Sequence, residues 1–317
     1  MCTIIPLDNQ NNSGQKAVFS TDKLWPQNKD ITIGFIGTGE NVERTHYYFS
    51  SDCDPLQYTI QNGTYTTIEI IKKVVNERIQ PLVNLNFKFV DDLENTDIRI
   101  SFEKGGSSSA LGTNALYLNF DNNPTMNFAW ISVSTILHEF GHVIGMTHEH
   151  QSPNSSINWN KPILYLFYWL ASGWDTNKVD RNIINQTDED THTSSPFDPL
   201  SIMLYYYPSI LTLDFKGTSE TTRLSGYDVE WIAKTYPKKG GISPQDFYLK
   251  TYGISLDTSK AESDRLAKNF KGSDGLSWWK ILLIVISIII IIIIIAVTIK
   301  KFYKTKKYHY QRVEKEL

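Results

Sequence analysis

The chain has 317 residues, 41% of them hydrophobic and 21% charged, which excludes a disordered polymer and leaves enough length for one sizeable core or two small ones. Its formal net charge of -3 is unevenly spread: residues 300–317 hold seven Lys or Arg against two Glu, leaving the rest of the chain near -8, so a nucleic acid is not expected as a partner. Two cysteines, Cys2 and Cys53, exclude a disulfide-built scaffold.

Residues 1–20 are polar, with no apolar leader core and no small-residue cleavage site; they read as a flexible arm without a secretory signal. Periodicities then alternate. "ITIGFI" (31–36) reads as a strand, and "YTTIEIIKKVVNERIQ" (65–80) as a helix with Ile68, Ile70, Ile71, Val74, Val75 and Ile79 on its apolar side. "LNFKFV" (85–90) and "DIRISF" (97–102) alternate at period two, "GGSSSALG" (105–112) is a loop by composition, and "ALYLNF" (115–120) reads as a further strand. This is an α+β pattern, a small sheet with a helix packed across it, and after residue 150 the chain turns irregular. That second part holds two short helices ("KPILYLFYWLAS", "NKVDRNIINQ"), then "FDPLSIMLYYYP" and a helix at "GYDVEWIAKTY" (226–236). Residues 237–277 are polar and turn-rich and read as a stalk.

Residues 281–299, "ILLIVISIIIIIIIIAVTI", carry no charge and at 1.5 Å per residue reach about 28 Å, close to a bilayer's hydrocarbon thickness. Trp278 and Trp279 flank one side, and Lys300, Lys301, Lys304, Lys306 and Lys307 the other. A single transmembrane helix is expected over 278–300, with lipid contact through 281–299 and a basic tail over 301–317. The basic tail argues for a cytoplasmic C-terminus and the missing leader argues against it, so the side of the main domain stays open.

Four of the seven histidines fall in "HEFGHVIGMTHEH" (138–150). On a helix, His138 and His142 project side by side and can share one metal ion, while Glu139, about 100° around, can reach a water on that ion. A helix continued past Val143 would point His148 away. Gly145 permits a left-handed turn that ends the helix and folds His148 back to the same ion. Three neutral imidazoles with a fourth position open suit one catalytic Zn2+, with Glu139 as general base and then proton donor.

H-E-x-x-H-x-x-G-x-x-H is the metzincin metallopeptidase signature, and Glu149 directly after the third histidine resembles the astacin branch. "LW" (24–25), "DIRISF", "GGSSSALGT", "PTMNFAW", "HEHQSP" and "DPLSIMLY" are similar to compact microbial astacin-like peptidases over residues 24–236. The resemblance implies a metzincin zinc-protease fold over 21–236, with an N-terminal twisted mixed sheet and two helices and an irregular C-terminal subdomain, a methionine turn at "SIMLY" with Met203 beneath the metal, and Tyr205 as a tyrosine that can ligate the zinc and swing away to stabilise the oxyanion. It further implies an extended polypeptide substrate along an edge strand, for which "SSALGTNALYLNF" (108–120) is the candidate by chain order. His150 lies beyond the ligand set. The cysteines of the animal astacins' two disulfides are not evident here, and no pro-segment that would supply a blocking zinc ligand is recognisable.

The expectation is therefore a membrane-anchored, single-pass zinc endopeptidase. The competing reading is a membrane-tethered binding or envelope protein that keeps the fold and does not need catalysis; the intact Glu139 counts against it. Oligomeric state is not legible.

Overall fold

Isoleucines at alternate positions build the first layer of the protein. The computed structural model describes residues 3–4, 19–44, 53–118, 123–186, 192–193 and 196–271. Its strands are β1 (Thr3–Ile4), β2 (Phe19–Ser20), β3 (Asp30–Phe35), β4 (Glu43–Arg44), β5 (Asn86–Phe89), β6 (Ile98–Ser101), β7 (Ser108–Ser109), β8 (Met126–Asn127), β9 (Trp130–Ile131) and β10 (His192–Thr193). Its α-helices are α1 (Pro55–Asn62), α2 (Thr67–Val74), α3 (Val133–Val143), α4 (Lys161–Ser172), α5 (Thr176–Val179), α6 (Gly226–Thr235), α7 (Pro244–Tyr252) and α8 (Leu256–Lys271).

Six strands form one sheet in the order β1-β7-β8-β6-β3-β5. β3 pairs in parallel with β5 and β6, setting Ile31 opposite Phe87 and Ile33 opposite Ile98. β7 and β8 run antiparallel, so the sheet is mixed, as the family resemblance implied. β4 pairs with β9 and β10 with β2 as separate two-stranded ribbons.

Thr66 and Glu69 close a capping box that starts α2, and Ile70, Ile71 and Val74 are buried. The helix runs on through a π-turn at Val75–Ile79, covering the expected 65–80 nearly in full. α3 threads the centre: all eleven of its residues are buried. Its start is pinned twice, since the Ser132 hydroxyl accepts from Thr135 N (3.0 Å) and the Gln57 side chain of α1 accepts from Val133 N (2.8 Å). In the same layer, buried Asp54 caps α1 and takes two hydrogen bonds from Arg78, Nε at 2.9 Å and Nη2 at 2.8 Å. Removing either partner of such a buried pair costs about 3–5 kcal/mol, because the other charge is stranded.

Four expectations change. Residues 237–271 are not a stalk: α7 and α8 pack on α6, and Phe247, Tyr248, Tyr252 and Leu256 are buried in the main hydrophobic core. The Tyr252 hydroxyl donates to Asp54, and the compact unit runs to Gly272. Apolar side chains so sparse in a polar stretch gave no visible period. The strand expected at 115–120 is instead a 3-10 helix over Gly112–Leu118, with residues 119–122 outside the described set. Gly112 turns the chain with φ +49°, where a Cβ would lie 1.9 Å from the Lys23 carbonyl. Only Ser108–Ser109 of the segment 108–120 enters the sheet, and β1 takes the far side of that strand; the segment is therefore not an open edge. The arm 1–20 likewise contributes β1 and β2, with residues 5–18 outside the described set.

The single-pass membrane location is corrected as well. Among the described residues no helix is long and apolar enough to cross a bilayer. The longest, α8, has 16 residues and carries Asp257, Lys260, Glu262, Asp264, Arg265 and Lys268. Residues 278–317, where the span and basic tail were expected, lie outside the described set.

Candidate metal centre

The end of α3 explains how three histidines meet. Ile144 closes the helix, Gly145 takes φ +92°, and two bonds seal the turn: Gly145 N to His142 O and Met146 N to Gly141 O, both 2.9 Å. This is the Schellman arrangement, in which a left-handed glycine lets the chain double back. The remaining carbonyls at this end are taken by side chains: Trp25 Nε1 donates to Val143 O (2.7 Å) and the Tyr236 hydroxyl to Ile144 O (2.9 Å). Trp25 comes from the "LW" pair at 24–25.

His148 is thereby returned beside the first two. The rings of His138 and His142 are 4.8 Å apart by centroid, those of His142 and His148 4.7 Å, and those of His138 and His148 5.4 Å. One ligand atom from each can be chosen so that all three lie within 4.8 Å of one another. All three side chains are buried, and the Nε2 atoms of all three have no hydrogen-bond partner in the protein. Buried polar atoms left without a partner are costly, so three aimed at one point fit a cation that accepts their lone pairs.

The tautomers agree. A carbonyl oxygen can only accept, so His138 Nδ1–H donates to Ile202 O and His142 Nδ1–H to Met146 O, both at 2.8 Å. His148 shares a hydrogen bond with the Gln151 side chain, whose amide nitrogen is already committed to Arg181 O and Asn185 O. Each ring then presents Nε2 as the unprotonated nitrogen. Burial drives His138 down to about 4 and holds His142 and His148 well below the ordinary histidine range, so the triad is neutral at pH 7. Among the described residues the cluster holds three neutral imidazoles and no fourth His or Cys, a set that suits zinc in an open site.

Glu139 is fully buried on α3, one residue after the first ligand. The Tyr205 ring lies 4.3 Å from that of His148 and 5.5 Å from that of His138, so the tyrosine singled out in the sequence is beside two of the three imidazoles. His150 is outside the triad; it stacks on His148 at 5.1 Å and on Tyr205 at 5.0 Å, and its Nε2 contacts Asn182 O.

Met203 is buried against α3. A Cβ on Gly141 would sit 2.5 Å from Met203 Sδ, so the helix and the methionine turn approach as closely as only glycine allows. The backbone of the turn also holds the loop of the third ligand, since Met203 O accepts from Glu149 N at 3.1 Å.

Two supports were missed in the sequence. Gly141 looked like a variable position of the motif, and no local signal reveals the methionine that packs on it. Asp228 sits in the first turn of α6, where it completes a capping box with Ser225; it also accepts from Ser201 Oγ and from Ile202 N, both at 2.8 Å. A chain of contacts thus runs from α6 through the methionine turn to His138. The capping box was legible in "SGYD", but its second task was not. Beside it Glu149 accepts from Asp198 N (2.8 Å), and Asp198 accepts from Ser225 and from Ser263 of α8. Burial, with Asp228 close by, pushes Asp198 up to about 7; burial and Asp198 hold Glu149 well above the carboxylate range.

No protein-family model and no curated protein matches the chain. Solved structures do. A structure of myroilysin is 30% identical, with a TM-score of 0.56, over 70% of this chain and 98% of that one. A crystal structure of myroilysin is 29% identical over 71% and 90% of the two chains, with a TM-score of 0.46. High choriolytic enzyme 1, a hatching enzyme zinc-protease from the medaka fish Oryzias latipes, is 16% identical over 69% and 96%, with a TM-score of 0.38.

Proposed function

This chain belongs to the same family as myroilysin, and from that premise we propose that it is a zinc-dependent endopeptidase of the astacin-like metzincin type, acting on polypeptides. The observation that carries the reading is the convergence of three buried, partnerless Nε2 atoms beside a buried glutamate on the same helix. His138, His142 and His148 would hold the ion. A bound zinc ion supplies Lewis acidity toward a peptide carbonyl and toward water. Glu139 accepts a proton from the water that attacks the scissile carbonyl carbon and returns it to the amine nitrogen as the C–N bond breaks. Tyr205, whose ring lies beside those of His138 and His148, could offer its oxygen to the ion at rest and, once swung away, would donate its hydroxyl hydrogen bond to the oxygen that becomes negative during attack. Gly145 and Met203 support the ligands without touching substrate.

The test uses the full chain. Wild type is expected to carry one zinc per molecule by elemental analysis and to cleave peptides. Glu139→Gln is expected to keep the zinc and the melting temperature and to lose at least about a thousandfold in kcat/KM. Zinc-loaded Glu139→Gln that hydrolyses peptides at the wild-type rate would remove Glu139 from the reaction, and wild type without stoichiometric metal would end the zinc reading.

A further inference from the structure

Beside the metal site lies a cleft of about 260 Å3 that shares His138 and Tyr205 with it. Its walls combine apolar and aromatic side chains, Trp130, Ile202 and Tyr206 among them, with the hydroxyls of Ser134, Thr135 and Thr221, and Tyr206 is 61% exposed. The lining has one formally charged side chain among the described residues, Glu220, which is exposed and forms no ion pair with another described residue. We infer that this cleft receives a basic side chain of the polypeptide substrate, lysine or arginine, and that Glu220 selects it. The inference deepens the proposed function and rests on it.

The geometry supports the assignment in three steps. A peptide whose carbonyl is held at the triad must lead its neighbouring side chains past His138 and Tyr205, and this cleft opens there. A long aliphatic stem ending in a cation has a complement for each of its parts in this lining: Ile202 for the methylenes, the Trp130 or Tyr206 ring for the cation, and the Glu220 carboxylate for the charge. An aspartate in the same place would meet like charge, and a leucine would screen the carboxylate from water without replacing its hydrogen bonds. The pair is near solvent, so its contribution is modest, about tenfold in selectivity rather than thousands.

The experiment compares kcat/KM of the zinc-loaded full chain on quenched fluorescent peptides that differ only in the residue on either side of the cleaved bond: Lys, Arg, Leu or Asp. Wild type is expected to prefer Lys or Arg over Asp by about tenfold or more at one of those positions. Glu220→Gln should reduce that ratio about tenfold, and Glu220→Lys should invert it in favour of Asp. A ratio of two rates on one protein is insensitive to partial misfolding, which lowers both alike. A preference unchanged in Glu220→Gln and Glu220→Lys, or a wild-type preference for Asp, overturns the assignment of Glu220 while leaving the peptidase intact. Hydrolysis of none of the peptides by zinc-loaded wild type overturns the peptidase reading and the cleft's role with it.

Discussion

At the residue scale, the site depends on side chains outside the histidine triad. Asp228 accepts from Ser201 Oγ, Ile202 N and Ser225 N, and the Ile202 carbonyl in turn holds the His138 ring by Nδ1. Asp228→Ala leaves those buried donors without an acceptor, at about 1–3 kcal/mol each where nothing replaces it. The turn that aims His138 also loosens. The expected result is a melting temperature lower by several degrees together with zinc affinity weakened about tenfold, the usual cost of losing a support behind a ligand. Competition with a chromophoric chelator measures the second effect. Affinity unchanged in a destabilised variant would mean that the turn holds the ring without Asp228.

At the element scale, the helices after residue 243 belong to the protease unit. Phe247, Tyr248, Tyr252 and Leu256 lie in the main core, Ser259 Oγ accepts from Gly226 N at the start of α6, and Ser263 donates to Asp198. A chain ended at residue 240 would lose these apolar contacts, at roughly 1.5–3 kcal/mol for each large side chain, and would uncover Asp54 beneath Tyr252. It is expected to be insoluble or to melt at least about 10 °C below a chain ended at residue 272, since one kcal/mol moves the midpoint of a domain this size by about 2–4 °C. Calorimetry of the two fragments checks this; equal midpoints would restore a stalk-like role to the segment.

At the scale of the whole molecule, burial sets the charge of the metal site. The enclosing core drives His138 down to about 4 and His142 and His148 in the same direction, so between pH 8 and pH 6 none of the three needs to release a proton before binding. The sign follows: a depressed imidazole competes with protons only at a pH near its lowered value, so affinity is flat above it and falls below it. The zinc dissociation constant of the folded metal-free protein is expected to change less than about threefold from pH 8 to pH 6, and to weaken steeply only nearer pH 4. Isothermal titration across that range tests it. A loss of tenfold or more between pH 7 and pH 6 would show imidazoles titrating at their solvent value in a site open to water.

The spacing of His138, His142, Gly145 and His148 was enough to bring three imidazoles together across a turn, because helical geometry and the left-handed tolerance of glycine act within eleven residues and need no partner. The strands at 30–35, 86–89 and 98–101 and the helix beginning at Thr67 were legible for the same local reason. What could not be read locally was decided by packing between distant segments. Trp25 and Tyr236 meet at the end of α3 across the whole domain, Gly141 leaves room for Met203 some sixty residues on, and Asp228 reaches back to the turn before it. The polar run after residue 237 became helix and core because a few aromatic side chains found a surface already waiting, and a burial of that kind exists only once the rest of the chain has folded.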